Sequence, residues 1–136
     1  MCSSDLVDAS VYWDLIATEK NDPQIAYNNW SQDFPEGEDF IDTQLNGEGI
    51  VNVGNNNQSN VNIPAYNKLI DKARQMPLGD ARNALWAKLD ADYMRTNAPW
   101  VVFMNAARYK FVSSRLHGLV FNGTYYDLFP SMWLSQ

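Results

Sequence analysis

Two apolar stripes at helical spacing, joined by one short turn, limit this chain's fold more than any other feature. Tyr66, Leu69, Ile70 and Ala73 recur at i, i+3, i+4 and i+7 behind Pro64. Proline suits a first helical turn because the N–H it lacks is not needed there. Leu85, Trp86, Leu89 and Tyr93 form a second stripe, with Asp80 placed as a cap and Pro99 as a stop. Both stripes must be buried against other elements. They exclude an all-β sandwich, whose strands alternate with period two.

Shorter elements surround this pair. A helix is expected over residues 7–20, capped by Ser10, with Val11, Leu15 and Thr18 on one face and Tyr12 and Ile16 beside them. Asn21-Asp22-Pro23 reads as a turn. Residues 24–30, 99–104, 109–112 and 119–121 read as strands, and residues 39–45 as a short helix ending at Asn46-Gly47. Residues 48–62 carry six asparagines and no apolar period, which predicts a solvated, mobile loop. Its length also leaves contact with a ligand open. The last eight residues, 129–136, read as irregular and aromatic. Helices interleaved with strands indicate an α/β or α+β class.

Composition narrows the function. With 46% hydrophobic and 19% charged residues the chain is globular rather than disordered. A net charge of −6 with ten scattered basic residues argues against nucleic acid as a partner. No apolar run reaches the roughly 18–20 residues a bilayer span needs. The one cysteine, Cys2, can form neither an internal disulfide nor a cysteine metal cluster. It lies in Cys-Ser-Ser-Asp-Leu, which resembles the translation of a common sequencing adaptor, so residues 1–6 are expected to be a non-native leader.

No catalytic constellation stands out. The single histidine, His117, precedes Gly118 and reads as a partly exposed loop residue rather than a metal ligand or base. Asp33, Glu36, Glu38 and Asp39 crowd one turn, but a glycosidase pair needs a set separation across a cleft, which sequence neighbours rarely supply. The expectation is a protein that is not an enzyme, with no cofactor and no metal.

An ordered series of motifs carries more information. Trp30-x-x-Asp33-x-Pro35-Glu36-x-x-x-Phe40 resembles the Trp-x-x-Asp-x-Pro-Asp-Pro-x-x-Phe stretch of family 5 extracellular solute-binding proteins, the dipeptide, oligopeptide and nickel receptors of ABC importers. Residues 60–73 resemble that family's Pro-x-x-Asp-x-Leu-Ile-x-x-Ala helix, and Arg82 with Leu85-Trp86 and Asp90 follows. Ala98-Pro99-Trp100-Val101-Val102-Phe103 is similar to its Ala-Pro strand, and residues 112–120 to its closing segment. Three departures stand out: Glu36-Gly37 in place of Asp-Pro, Asn67 in place of Asp, and the asparagine-rich loop.

The resemblance implies a two-lobed periplasmic-binding-protein-like fold with a mixed sheet and flanking helices, of which this chain would be an incomplete part. Residues 7–104 would belong to the C-terminal ligand-binding lobe. Residues 105–136 would cross over and return to the N-terminal lobe, with a hinge at 104–108. Asp33 would hold a peptide's α-ammonium, while the backbone of Asn29, Trp30 and Ser31 pairs with the peptide as an added strand. The implied partners are a small solute (a peptide above all), an ABC permease and the missing N-terminal part of the same chain. The implied location is the periplasm, or a lipid anchor on the outer face of the cytoplasmic membrane. A carbohydrate-binding module, or a sugar-specific receptor of the same family, is the alternative. The aromatic and asparagine content suits sugar stacking and hydrogen bonding.

Overall fold

Both long stripes are helices in the computed structural model, which describes residues 7–21, 23–105, 107 and 109–136. The first is α3 (Pro64–Gln75) and the second α4 (Asp80–Thr96); two shorter helices, α1 (Ala9–Ile16) and α2 (Gly37–Leu45), precede them. Near the C-terminus four two-residue strands follow: β1 (Leu116–His117), β2 (Phe121–Asn122), β3 (Tyr126–Asp127) and β4 (Trp133–Leu134). They form two antiparallel ladders, β1 with β4 and β2 with β3. The chain is a small mixed α/β protein. Among the described residues no helix is long and apolar enough to cross a membrane.

Helices α2, α3 and α4 pack pairwise around one core of Ile41, Leu45, Ile70, Ala73, Trp86, Leu89 and Tyr93. Tyr93 sits at its centre, fully buried. Its hydroxyl donates to the Leu45 carbonyl at 2.8 Å, and its ring meets Tyr66 edge-on at 4.6 Å. Of the two stripes, Ile70, Ala73, Trp86, Leu89 and Tyr93 are inside, while Tyr66, Leu69 and Leu85 pack partly buried against the core.

Helix ends differ from the sequence reading in two places. Asp8, not Ser10, caps α1; its Oδ1 accepts from the Ser10 N–H at 2.8 Å, and the bonds to Ser10 hold its carboxyl below the usual range. Asp80 is the first residue of α4, and Gly79 at φ +145° takes the cap position, a conformation open to glycine. Asp80 still favours the helix start through its charge.

The predicted strands depart further. Residues 24–30, 99–104 and 109–112 are not strands in the structure, because no strand among the described residues lies beside them. Val101, Phe103, Tyr109 and Phe111 stand largely exposed. The strand expected at 119–121 shifts to Phe121–Asn122, and the irregular tail contains β4. His117 lies in β1 opposite Trp133, with the two rings stacked 4.2 Å apart. Cys2 and the leader, Asp22 of the expected turn, and Ala106 and Arg108 of the expected hinge lie outside the described residues.

The asparagine loop is the clearest reversal. Asn55 and Asn57 are buried, not solvated. Asn57 Nδ2 donates to the carbonyls of Asn46 and Val61 at 3.2 and 2.8 Å, and its Oδ1 accepts from Ser59 Oγ. Asn55 Nδ2 donates to Asn57 O and Asn60 Oδ1. Side-chain amides here replace the missing secondary-structure ladder and satisfy buried backbone.

Candidate ligand-binding site

The turn before α2 is held from behind by a buried cation. Arg82, on the first turn of α4, commits all five of its N–H donors. Nε and Nη2 form a fork onto the two oxygens of Glu36, Nη2 also reaches Glu38, and Nη1 donates to the carbonyls of Arg74 and Met76 at 3.0 and 2.9 Å. The Trp86 indole donates to Glu36 at 3.2 Å. The crowded carboxylates Glu36 and Glu38 thus neutralise an arginine and join α2 to α4. They are no acid–base pair.

Gly37 and Asn67 fit this packing. A Cβ on Gly37 would come within 2.7 Å of the Trp86 Cβ, so glycine permits the close approach of α2 to α4. Asn67 accepts from the Gly47 N–H at 3.1 Å and donates to Asn62 Oδ1 at 2.9 Å. An ionised aspartate could make the first bond but not the second.

Asp39 then shapes the turn itself. Fully buried in the first turn of α2, it accepts through one oxygen from the Asp33 N–H at 2.8 Å and the Trp30 indole at 3.3 Å. The helix N-terminus favours its negative charge. Residues 30–33 are therefore fixed by a carboxylate that the sequence reading placed only within a crowded acidic cluster. Its position at the third residue of a helix was the available signal.

In front of this turn lies a cleft of about 550 Å³ lined by Trp30, Ser31, Gln32, Asn105, Lys110, Phe121, Gly123 and Tyr126. Gln32 crosses to the β2–β3 turn, donating to Thr124 Oγ1 at 2.9 Å. Lys110 pairs with Asp127 and stands 5.2 Å over the Phe121 ring. Sequence reasoning missed Gln32, an unspecified position inside the Trp30-x-x-Asp33 motif, and Lys110 and Phe121, which no motif marks.

Of the four expected site residues, Trp30 and Ser31 line this cleft, while Asn29 and Asp33 adjoin the lining residues along the chain and are not themselves among them. The Trp30 ring is half-buried. The N–H and C=O groups of Trp30 and Ser31 have no hydrogen-bond partner among the described residues, while the Asn29 N–H is taken by Asn28 Oδ1 at 2.8 Å. The Asp33 carboxylate is exposed and bonds to no described residue, so it does not cap its own turn. The site thus offers two residues of backbone unpaired among the described residues and an aromatic wall, with an exposed carboxylate two residues further along the chain. No family model, curated protein or solved structure matches the chain.

Proposed function

We propose that this chain is part of the C-terminal lobe of a family 5 solute-binding protein, the receptor of a peptide-type ABC importer, in a two-lobed periplasmic-binding-protein-like fold. One observation carries the reading. Trp30 and Ser31, whose backbone groups have no hydrogen-bond partner among the described residues, line a cleft, and the exposed Asp33 carboxylate follows two residues on. An extended peptide supplies the complementary N–H and C=O groups, and its ammonium supplies the charge. Backbone pairing is indifferent to side chains, while the ammonium fixes the register. The cleft volume lies within the range of small-ligand sites, about 300–1,000 Å³. The interlocking of Glu36 with Arg82 and Trp86 adds support, because it joins two of the motifs on which the resemblance rests.

In this reading the lobe makes no covalent change to its solute. It encloses the peptide by a hinge motion, and the closed receptor delivers it to a membrane permease on the outer face of the cytoplasmic membrane. A sugar-specific receptor is the second reading, favoured by the rings of Trp30, Phe121 and Tyr126 around one cleft. Calorimetric titration of the full-length receptor with di- and tripeptides, and separately with disaccharides, decides between them. Peptide binding with a zwitterion preference is expected. Binding of disaccharides alone overturns the peptide assignment.

A further inference from the structure

Two Asn-Gly steps occur in the chain, Asn46-Gly47 and Asn122-Gly123. Such a step can cyclise, because no Cβ shields the glycine nitrogen and its backbone is free to turn towards the asparagine side chain. The fold treats the two steps in opposite ways. Asn46 and Gly47 are both buried. The Gly47 N–H donates to Asn67 Oδ1 at 3.1 Å, and Asn46 Nδ2 donates to Asp42 Oδ1 at 2.7 Å. A Cβ on Gly47 would meet Asn62 Oδ1 at 2.2 Å, so no space remains for a ring there.

Asn122 ends β2, and Gly123 opens the turn to β3 and lines the cleft. Asn122 is half-buried and Gly123 exposed. The side-chain oxygen of Asn122 accepts from the Thr124 N–H at 2.9 Å and the Tyr125 N–H at 2.8 Å. These two donors hold the side chain over its own turn. They also face the oxygen on which negative charge gathers when a nucleophile attacks Cγ, and fixed donors there stabilise that charge. Neither the Gly123 N–H nor Asn122 Nδ2 has a hydrogen-bond partner among the described residues. Nucleophile and leaving group are therefore not held back by bonds to any described residue.

We propose that Asn122-Gly123 is a site of spontaneous modification, where a succinimide forms and opens to isoaspartate and aspartate at the rim of the cleft. The Gly123 nitrogen bonds to Asn122 Cγ and loses its proton; the Cγ–Nδ2 bond breaks, and ammonia leaves with that proton. Water then opens the ring. Attack at the side-chain carbonyl gives aspartate, and attack at the main-chain carbonyl gives isoaspartate. Isoaspartate adds a methylene to the main chain of a turn whose Thr124 Oγ1 accepts from Gln32. That extra link moves Thr124 and Tyr125 away from the oxygen they share, and the turn loosens beside the cleft. This chemistry is independent of which solute the cleft takes.

The test is prolonged incubation of the protein in mildly alkaline buffer, folded and in urea, followed by peptide mapping with mass spectrometry. Exchange of ammonia for water marks each converted peptide by its mass, and an isoaspartate methyltransferase labels the isoaspartyl form. In the folded protein Asn122 is expected to convert about tenfold or more faster than Asn46. In urea, where the fold no longer distinguishes them, the two are expected to convert at similar rates. Gly123→Ala adds a Cβ that meets only Gln32 Nε2 at 3.8 Å, so the fold is kept while conversion at Asn122 is expected to slow several-fold. Amide exchange at Thr124 and Tyr125 is expected to quicken in the converted protein, and unchanged exchange overturns the loosening of the turn. An Asn122 that stays intact in the folded protein overturns the proposal, as does an Asn122-to-Asn46 rate ratio that is the same folded and in urea.

Discussion

Replacing Arg82 by methionine keeps most of the side-chain length and removes the cation that joins α4 to α2 and to the turn between α3 and α4. The loss can be worked from its bonds. Glu36 is only 13% exposed and would remain poorly solvated without a counter-charge, while Glu38, 24% exposed, would keep only Arg74 at 3.5 Å. The carbonyls of Arg74 and Met76 would lose their donor as well. Breaking a buried ion pair from one side costs about 3–5 kcal/mol. Total stability for a domain is about 5–15 kcal/mol, so Arg82→Met should unfold at a much lower urea concentration. Arg82→Lys should recover only part of the loss, because an ammonium cannot make the fork onto Glu36. Adding Glu36→Gln to Arg82→Met should cost less than the sum of the single changes, with a coupling of about 1–3 kcal/mol. Urea titration followed by tryptophan fluorescence measures all of these. A loss below about 1 kcal/mol, the value of an exposed pair, would refute the claim that this arginine anchors the site.

Two further outcomes follow from buried polar groups. Burial in the core pushes the Tyr93 hydroxyl up to about 12, so the folded state holds a proton that the unfolded chain releases near pH 10. The stability it contributes is complete below pH 10 and is lost as pH rises towards 12, about 2–3 kcal/mol in all. Urea midpoints measured from pH 9 to 12 should show this fall, and Tyr93→Phe should flatten it. Asn57→Ala removes three side-chain bonds and leaves the half-buried Val61 carbonyl without its donor, while the Asn46 carbonyl keeps the Gly49 N–H, and should cost about 1–3 kcal/mol. A denaturation midpoint equal to that of the original chain would return residues 48–62 to the status of a solvated loop.

The sequence revealed the parts of this fold that are set locally. α3 and α4 are long enough for their stripes to identify both helix type and buried face, so Ile70, Ala73, Trp86, Leu89 and Tyr93 were legible. Strands depend on neighbours, and period-two runs such as residues 99–104 reveal extended backbone without revealing whether anything lies beside it. Asparagine-rich residues 48–62 misled because polarity does not say whether an amide faces water or buried backbone. Asn57 does the latter. At the candidate site the motif identified Trp30 and Ser31, but the residue that fixes their turn, Asp39, was one acid among four. Lys110 and Phe121 reach the cleft through the chain's return, a long-range placement that spacing does not encode.

The central claim of the proposed function is that the exposed Asp33 carboxylate receives a peptide's ammonium. Calorimetric titration of the proposed receptor and its Asp33→Asn variant, each with free and N-acetylated forms of one peptide, tests it directly. Hydrogen bonds to charged groups are worth about 1.5–3 kcal/mol, so the variant should bind the free peptide roughly 10- to 150-fold more weakly. The acetylated peptide, which has no ammonium, should bind poorly to the original and lose little more in the variant. Equal affinities of the two proteins for the free peptide would contradict the account and remove Asp33 from the site.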